Sequence, residues 1–255
     1  MSDGRLLDFA WPLPAGIRAA FTTRRGGVSA APWDSFNLGA HVGDAPQAVA
    51  ANRARLRSLL ALPSEPVWLS QVHGNAVHVL QAGAASREVP VADGAVARAP
   101  GGVCAIMVAD CLPVLFASRD GTRIGAAHAG WRGLAAGVLE NTMAALEAPA
   151  AELTAWLGPA ISQPHFEVGD EVRAAFVDVD AGAAPHFTSN ARGRWQADLP
   201  GLARRRLAAL GIADIHGGSW CTVADRERFF SHRRDAHKAG STGRMAALIW
   251  RAAGQ

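Results

Sequence analysis

The sequence predicts an α+β fold, in which mixed β-sheets are flanked by helices. Apolar segments typical of strands occur along the whole chain, helical patterns stand between some of them, and the two do not alternate as regular parallel βαβ units. The chain has 255 residues and 49% hydrophobic content, which is enough to bury a full core. No linker or low-complexity block divides it. We therefore predict a single domain over residues 1–255.

The predicted elements follow in chain order from these patterns. Strand segments are short, apolar and bounded by Gly, Pro or Asp, whereas helical segments repeat apolar residues every three or four positions. Asp44 is expected to cap the first helix, with Pro46 in its first turn. The predicted strands are 17–22, 67–69, 76–80, 103–108, 112–119, 122–128, 153–157 and 244–250, and the predicted helices are 44–60, 134–146, 167–177 and 199–210.

Residues 112–128 predict a β-hairpin whose register can be derived. The Asp-Gly pair at 120–121 is a strong signal for a two-residue turn between two apolar segments. This turn places His128 opposite Pro113, and Cys111 lies two residues before Pro113 on the same face. Such diagonal neighbours lie about 7–8 Å apart at Cα. The hairpin therefore brings Cys111 and His128 together at its open end.

Three potential metal ligands, His73, Cys111 and His128, stand where an apolar segment gives way to Gly or Pro. Two imidazoles and one thiolate suit Zn²⁺, and three protein ligands leave a fourth position open, as in catalytic zinc sites. Spacing alone leaves open an ordinary structural role for each residue. The other histidines lack comparable geometry and are not predicted as ligands: His41, His78, His165, His186, His216, His232 and His237.

Two Gly-rich segments carry arginines that are suited to binding anions. Arg24 stands in a turn with flexible backbone amides. Arg132 lies at the predicted start of the helix after His128, where free amides favour phosphate. The same segments are also consistent with a solvated turn and with tight helix–sheet packing. Composition alone does not separate these alternatives.

Composition and absent motifs exclude several classes of protein. The net charge is only +3 and the arginine clusters are short, so we predict no nucleic-acid partner. Three cysteines without paired spacing favour reduced thiols in a cytoplasmic protein. No segment reaches the about 18 apolar residues of a membrane span, so no membrane partner is expected. Lys238, the only lysine, does not belong to a Walker loop, and dinucleotide-binding, serine-hydrolase and zincin motifs are absent.

Seven short motifs resemble those of the YfiH, or laccase-domain, family and together span nearly the whole chain. Members of that family have been labelled polyphenol oxidase, peptidoglycan editing factor, and purine nucleoside phosphorylase with adenosine deaminase activity. The resemblance implies a mixed α/β domain and a zinc site formed by His73, Cys111 and His128. The motifs are residues 21–29, 37–44, 71–74, 109–113, 128–133, 158–161 and 230–235.

The resemblance also implies a function, which is zinc-dependent phosphorolysis of adenosine, inosine and S-methyl-5′-thioadenosine, with adenosine deamination as a side activity. Purine nucleoside and phosphate would be the partners. Arg24 and Arg132 are then candidates for binding phosphate, and Asn37 for a hydrogen bond to ribose or base. Asp110 would satisfy loop amides or shuttle a proton.

Three alternatives to this function remain open. A copper polyphenol oxidase is less favoured than a zinc enzyme, because the chain has no His-x-His pair and only three convincing ligands. A metal-free cysteine hydrolase would use Cys111 as nucleophile and His128 as base. A non-catalytic zinc-binding factor related to the cell wall would hold the metal with no open position.

Overall fold

The computed structural model describes residues 4–81, 88–236 and 240–252; His237 and Lys238 lie outside the described residues. The helices are α1 Pro46–Leu60, α2 Trp131–Ala135, α3 Val138–Leu146, α4 Asp170–Val177 and α5 Leu199–Ala209. The strands are β1 Ile17–Phe21, β2 Val77–Leu80, β3 Gly94–Ala97, β4 Val103–Val108, β5 Leu112–Ser118, β6 Ile124–Ala129, β7 Leu153–Leu157, β8 Glu167–Val168, β9 Phe187–Ser189, β10 Trp195–Ala197, β11 Asp214–Gly217 and β12 Met245–Arg251.

Two β-sheets packed face to face, with helices against their outer faces, form the main body of the fold. The larger sheet has the strand order β11-β7-β5-β6-β3-β2, and the smaller has the order β1-β12-β4. The inner strands of the larger sheet are antiparallel, whereas β11 and β2 at its edges pair in parallel with their neighbours. A third small sheet, β8-β10-β9, is wholly antiparallel. This mixture confirms the predicted α+β class.

Successive residues of the central strands pack into different cores. In β4, Val103 packs with α1 residues, whereas Cys104 packs between the two sheets. In β5, Leu115 also lies between the sheets, whereas Phe116 packs with the helices on the far side of the larger sheet. Side chains alternate between the faces of a strand, so both faces of these strands are buried. This explains why the strands are continuously apolar rather than alternating.

The predicted hairpin is present with the predicted register. Strands β5 and β6 pair antiparallel, with Pro113 opposite His128. The turn is longer than predicted, because the last paired backbone groups are the Ser118 amide and the Arg123 carbonyl. Gly121 lies in this turn at φ 70°, a backbone conformation that favours glycine. The predicted β4 and β7 segments, 103–108 and 153–157, also match the observed strands.

Two predicted helices were too long. The predicted helix 134–146 is divided into α2 and α3, because Gly137 adopts φ 92° and cannot continue a helix. The predicted helix 167–177 begins only at Asp170. Residues 167–168 form β8 instead, since they pair with β10. Helical periodicity did not distinguish a strand that leads directly into a helix.

Two other local predictions were wrong. Residues 67–69 do not form a strand and contribute only an isolated bridge between Val67 and Cys104. Asp44 does not cap α1, because Ala45 occupies the N-cap position. The Asp44 carboxylate instead accepts hydrogen bonds from other side chains, which are described below.

One edge of the stacked sheets collects the ends of several strands. The end of β4 pairs with the start of β12, and the start of β5 pairs with the end of β6. The start of β3 pairs with β6 at the same edge. Within the described residues, no helix is both long and apolar enough to cross a bilayer. The loops that connect these strand ends form the site described next.

Candidate metal centre

His73, Cys111 and His128 come together at this edge. Their ligand atoms all lie within 4.8 Å of one another, and Sγ of Cys111 is 3.8 Å from Nε2 of His73. In a tetrahedral zinc site with bonds of about 2.0–2.3 Å, neighbouring ligand atoms are about 3.5 Å apart. Two imidazoles and a thiol at this spacing therefore fit an ion of the size and softness of zinc. We refer to these three residues as the triad.

Cys111 is positioned by the tight connection between β4 and β5. Asp110, the residue before it, adopts φ 90°, a backbone conformation that is unfavourable for any residue other than glycine. Its carboxylate accepts hydrogen bonds from Thr222 Oγ1 at 2.5 Å, Ser231 Oγ at 3.0 Å and the Arg233 amide at 2.7 Å. These contacts stabilise the strained turn. The buried Asp110 carboxylate therefore satisfies loop donors, which is one of the two roles considered for it.

Asp93 connects the other two triad residues. Its Oδ1 lies 2.8 Å from Nδ1 of His128 and also accepts a hydrogen bond from the His73 amide at 2.9 Å. Its Oδ2 accepts hydrogen bonds from the amides of Gly74 at 2.7 Å and Val72 at 3.1 Å. The carboxylate is fully buried. It therefore fixes the His73 loop and leaves Nε2 of His128 as the nitrogen free to bind a metal.

The position of Asp93 follows from strand register. Strand β3 pairs with β6, with Gly94 opposite Ala127. The pairing continues by one residue, since the His128 amide donates to the Asp93 carbonyl at 2.7 Å. Burial alone would raise the pKa of Asp93. Hydrogen bonds from His128 and from the backbone outweigh burial and hold the pKa below its ordinary value, so the group is a carboxylate.

Gly130 allows the triad to close. A Cβ atom on this residue would lie 2.9 Å from Sγ of Cys111 and 3.1 Å from Cδ2 of His73. Distances this short require one of the ligands to move. The glycine after His128 is therefore needed for close approach of the backbone, and it stands at the N-cap of α2.

Cys111 and His128 form a strongly coupled pair when no metal is bound. Burial acts to raise the pKa of the Cys111 thiol, but the imidazoles of His128 and His73 outweigh it and lower the pKa from 9.0 to about 6. Burial acts to lower the pKa of His128, but Cys111 and Asp93 raise it from 6.5 to about 9. Near neutral pH the metal-free pair is therefore a thiolate and an imidazolium.

The triad borders a cavity of about 360 Å³, a size typical of small-molecule sites. Apolar side chains form part of its wall, and three arginines, Arg132, Arg233 and Arg244, supply positive charge. Besides the triad, the cavity is lined by His41, Gln71, Met107, Val108, Ala109, Asp110, Trp131, Arg132, Ile161, Phe166, Leu199, His232, Arg233 and Arg244.

Of the three predicted substrate contacts, the structure brings only Arg132 to this cavity. Arg132 is exposed, and its guanidinium lies 4.5 Å from the centre of the Trp131 ring. Arg24 lies in a separate surface depression, where it pairs with Asp34 at 3.2 Å and packs over Phe230. Its guanidinium is engaged by the protein at a different surface from the triad.

Asn37 is also absent from the cavity wall. It is fully buried, and its Nδ2 donates hydrogen bonds to Asp44 and to the Gly39 carbonyl. Its Oδ1 accepts hydrogen bonds from the amides of Gly39 and Arg244. Both ends of the amide are thus used within the protein. Asn37 belongs to a buried polar group, here called the Asn37 network, which consists of Ser29, Asn37, Asp44 and Asn52.

Asp93 and Arg244 are two site residues that the sequence patterns did not indicate. Asp93 directly precedes a short apolar strand, and this is its only local signal. Its pairing with His128 depends on contact between strands that are distant in sequence. Arg244 begins the segment that we predicted as a closing strand and carries no motif of its own. Only the meeting of β4 and β12 at the site edge brings it to the cavity.

Comparison with known proteins is consistent with this geometry. Residues 18–252 match the family described as multi-copper polyphenol oxidoreductase laccase. The chain is 52% identical over 246 residues to a protein of Escherichia coli K12 called purine nucleoside phosphorylase YfiH. The aligned residues cover 96% of this chain and 98% of that protein. The chain belongs to the YfiH, or laccase-domain, family.

Other relatives extend this likeness. A purine nucleoside phosphorylase from Pseudomonas aeruginosa is 54% identical over 241 residues, which cover 94% of this chain and 96% of the relative. A crystal structure of a Neisseria meningitidis protein superposes with a TM-score of 0.91 at 47% identity, covering 98% and 100% of the two chains. The structure of YlmD from Geobacillus stearothermophilus superposes with a TM-score of 0.86 at 31% identity, covering 99% of this chain and 98% of YlmD. The fold of this chain is therefore that of its family.

Proposed function

We propose that this protein is a zinc-dependent purine nucleoside phosphorylase acting on adenosine, inosine and S-methyl-5′-thioadenosine. One observation carries the proposal: a triad with zinc-ligand geometry borders a cavity that also contains arginines. The names of the relatives support the same activity. An open metal position beside a cavity is typical of a catalytic site rather than a structural one.

The cavity suits a nucleoside together with an anion. Its volume lies within the range of small-molecule sites. Trp131 and Phe166 offer flat apolar surfaces for a purine, and the arginines offer donors for phosphate. Arg132 remains a proposed phosphate contact at this cavity. For Arg24 and Asn37 we propose structural roles instead, since protein groups already occupy their hydrogen-bonding atoms.

The proposed reaction is a displacement at the anomeric carbon. A phosphate oxygen forms a bond to C1′ of the ribose while the bond from C1′ to the purine nitrogen breaks. The purine leaves with the electron pair of that bond and takes up a proton. The other product is ribose 1-phosphate from adenosine or inosine, and 5-methylthioribose 1-phosphate from S-methyl-5′-thioadenosine. The site must therefore hold phosphate against the sugar and stabilise negative charge on the leaving base.

The residues of the chain would prepare this step by orientation. Asp93 holds His128 through Nδ1, and the strained Asp110 turn holds Cys111. His73, Cys111 and His128 would bind zinc, which when bound supplies a Lewis acid and, for adenosine deamination, an activated water. The described ranges contain one such group of ligands, which favours a single zinc over a multi-copper centre.

Product analysis tests the proposal directly. Purified protein is expected to contain about one zinc per chain. With inosine it should release hypoxanthine and ribose 1-phosphate only when phosphate is present, and with adenosine any inosine formed reports the deaminase activity. Release of free ribose at the same rate without phosphate would identify a hydrolase and contradict the phosphorylase assignment.

A metal-free cysteine hydrolase is the second candidate, because Cys111, His128 and Asp93 form a hydrogen-bonded series with a thiolate-favouring electrostatic environment. The two candidates respond oppositely to chelation. We expect removal of zinc to abolish inosine phosphorolysis, return of zinc to restore it, and alkylation of Cys111 to occur only in the metal-free protein. Full activity without metal, together with a substrate adduct on Cys111, would favour the hydrolase.

A further inference from the structure

We propose that Arg244 makes the principal protein contact to phosphate in this cavity and that Asn37 positions it. The inference rests on the proposed phosphorylase function, because that function requires an anion site beside the triad. It assigns roles that neither the sequence motifs nor the names of the relatives indicate.

Arg244 has free hydrogen-bonding capacity at the cavity wall. Its Nη1 donates to the carbonyls of Thr242 at 2.9 Å and Gly243 at 3.2 Å, which anchors one branch of the guanidinium. Among the residues that the structure describes, no protein acceptor is bound by Nε or Nη2, and no carboxylate forms an ion pair with Arg244. The side chain is half-buried and lines the cavity. The contacts of Nη1 hold the guanidinium in place, and its unused donors Nε and Nη2 suit bidentate binding of a phosphate.

Among the described residues, no ion pair with a carboxylate neutralises this guanidinium. Arg244 lines the same cavity as the triad and as Asp110, which places its charge beside the triad. The Asp110 carboxylate is already engaged by Thr222, Ser231 and the Arg233 amide. A partly desolvated cation without a paired carboxylate is unfavourable by itself and is stabilised when an anion binds. Phosphate would supply that anion.

The other two cavity arginines are less suited to this role. Arg233 donates through both terminal nitrogens to the backbone carbonyls of His165 and Glu167. Arg132 is exposed to solvent and packs on Trp131. Contacts from a solvent-exposed arginine are weaker, because water competes for its donors. Arg244 therefore combines partial burial, anchoring and free donors in a way that its neighbours do not.

Asn37 and Gly39 determine where Arg244 lies. Oδ1 of Asn37 accepts a hydrogen bond from the Arg244 amide at 2.8 Å. A Cβ atom on Gly39 would lie 2.8 Å from Cγ of Arg244, so the arginine stem uses space that only glycine leaves open. The motif that contains Asn37 and Gly39 thus packs against the arginine rather than against substrate. Asn37 is accordingly a positioning residue.

The test uses the zinc-loaded, full-length enzyme. Steady-state phosphorolysis is measured with phosphate and inosine varied separately, and binding of inorganic phosphate alone is measured by calorimetry. The variants are Arg244→Gln, Arg244→Lys and Arg18→Gln. Arg18 is an exposed arginine on β1 outside the cavity lining, so its variant makes the same change in net charge as Arg244→Gln.

We expect Arg244→Gln to raise both the KM and the Kd for phosphate by about tenfold to a hundredfold, as for a lost charge-assisted contact, with the inosine KM changed less than about twofold. Arg244→Lys should be intermediate, because it keeps the charge but not the forked geometry. This variant also preserves the test if Arg244→Gln does not fold. Arg18→Gln should behave as wild type. An unchanged phosphate KM and Kd in Arg244→Gln, or an equal rise in the inosine KM, would overturn the assignment.

The positioning role of Asn37 needs its own comparison. Asn37→Ser and Asn52→Ser both weaken the Asn37 network, but only Asn37 binds the Arg244 amide. At a temperature where both variants are folded, the phosphate KM should rise in Asn37→Ser alone. Equal phosphate constants in the two variants would remove the positioning role.

The proposed function can fail separately from this inference. If wild-type protein does not phosphorolyse inosine but binds phosphate in an Arg244-dependent manner, the anion site stands and the phosphorylase function falls. If inosine phosphorolysis is robust and independent of Arg244, the function stands and the inference falls.

Discussion

The triad and the Asn37 network are two polar groups with opposite properties. In the triad, ligand atoms of His73, Cys111 and His128 converge on a cavity. In the Asn37 network, amide, hydroxyl and carboxylate atoms bind one another within the protein. The triad residues lie in the sequence motifs named above, and so do three of the four network residues, Ser29, Asn37 and Asp44. The comparison shows that residue type and motif do not separate binding groups from structural ones, whereas the unused hydrogen-bonding or ligand capacity of each atom does.

Replacing a triad residue should change zinc content and enzymatic activity more than any other substitution considered below. His73→Ala, Cys111→Ala and His128→Ala should each reduce bound zinc severely and lower inosine phosphorolysis by about a hundredfold or more, because a three-ligand site loses one of its donors. Elemental analysis and product assays measure both quantities. Cys221→Ala is the matched control, since Cys221 lies outside the triad and should leave zinc unchanged. Stoichiometric zinc in all three triad variants would refute the site.

The second prediction concerns stability, where the Asn37 network should dominate. Asn37→Ala leaves buried partners in Gly39, Asp44 and Arg244 unsatisfied, and we expect a loss of about 2–4 kcal/mol in the free energy of unfolding. Denaturant unfolding provides the measurement. The folded variant should still bind zinc. Asn141→Ala, which removes an exposed amide, should cost less than about 1 kcal/mol and serves as the control.

A substitution of Asp93 tests whether zinc binding by the triad depends on the carboxylate that contacts Nδ1 of His128. Asp93→Asn keeps the shape of the side chain. It replaces one carboxylate oxygen, which accepts hydrogen bonds from His128 or from backbone amides, with an NH₂ group that can only donate. We expect zinc affinity to fall by about tenfold to a hundredfold, as when carboxylate support of a metal-bound histidine is lost. Competition with a chelator measures this affinity. An unchanged affinity would show that the triad is held without Asp93.

The pH dependence of alkylation reports the electrostatics of the metal-free triad. Because the pKa of Cys111 is lowered to about 6, its thiolate forms as the pH rises through about 6 rather than through 9.0. Alkylation of the zinc-free protein should therefore reach half its maximal rate near pH 6, as followed by mass spectrometry. His128→Asn removes the largest favourable contribution, so the midpoint should move to higher pH. A wild-type midpoint near 9 would contradict the thiolate–imidazolium pair.

Arg24 should give the smallest effect. Arg24→Gln breaks an ion pair with Asp34, whose side chain is 55% exposed, and removes donors to the carbonyls of Asp34 and Arg226. Exposed contacts of this kind each contribute about 0–1 kcal/mol. We expect a small change in unfolding free energy and no change in the phosphate KM. A tenfold rise in that KM would return Arg24 to the proposed substrate contacts and weaken the distinction between the two regions.

Local sequence signals predicted much of the fold and part of the site. Continuous apolar segments located β4 and β7, and the Asp-Gly turn signal placed Cys111 beside His128 through the hairpin register. Such predictions succeed because strand alternation and hairpin pairing depend on residues close in sequence. The division of the helix at Gly137 was missed, since helical periodicity continues through a single glycine.

Residue patterns alone were enough to predict the α+β class, the hairpin and the three potential ligands. Which polar atoms remain free depended on the folded chain, in which Asn37 is buried in a network, Arg24 pairs with Asp34, and Asp93 and Arg244 lie beside the triad. Hydrogen-bond satisfaction and desolvation depend on every neighbour of an atom, and these neighbours come from segments far apart in the chain.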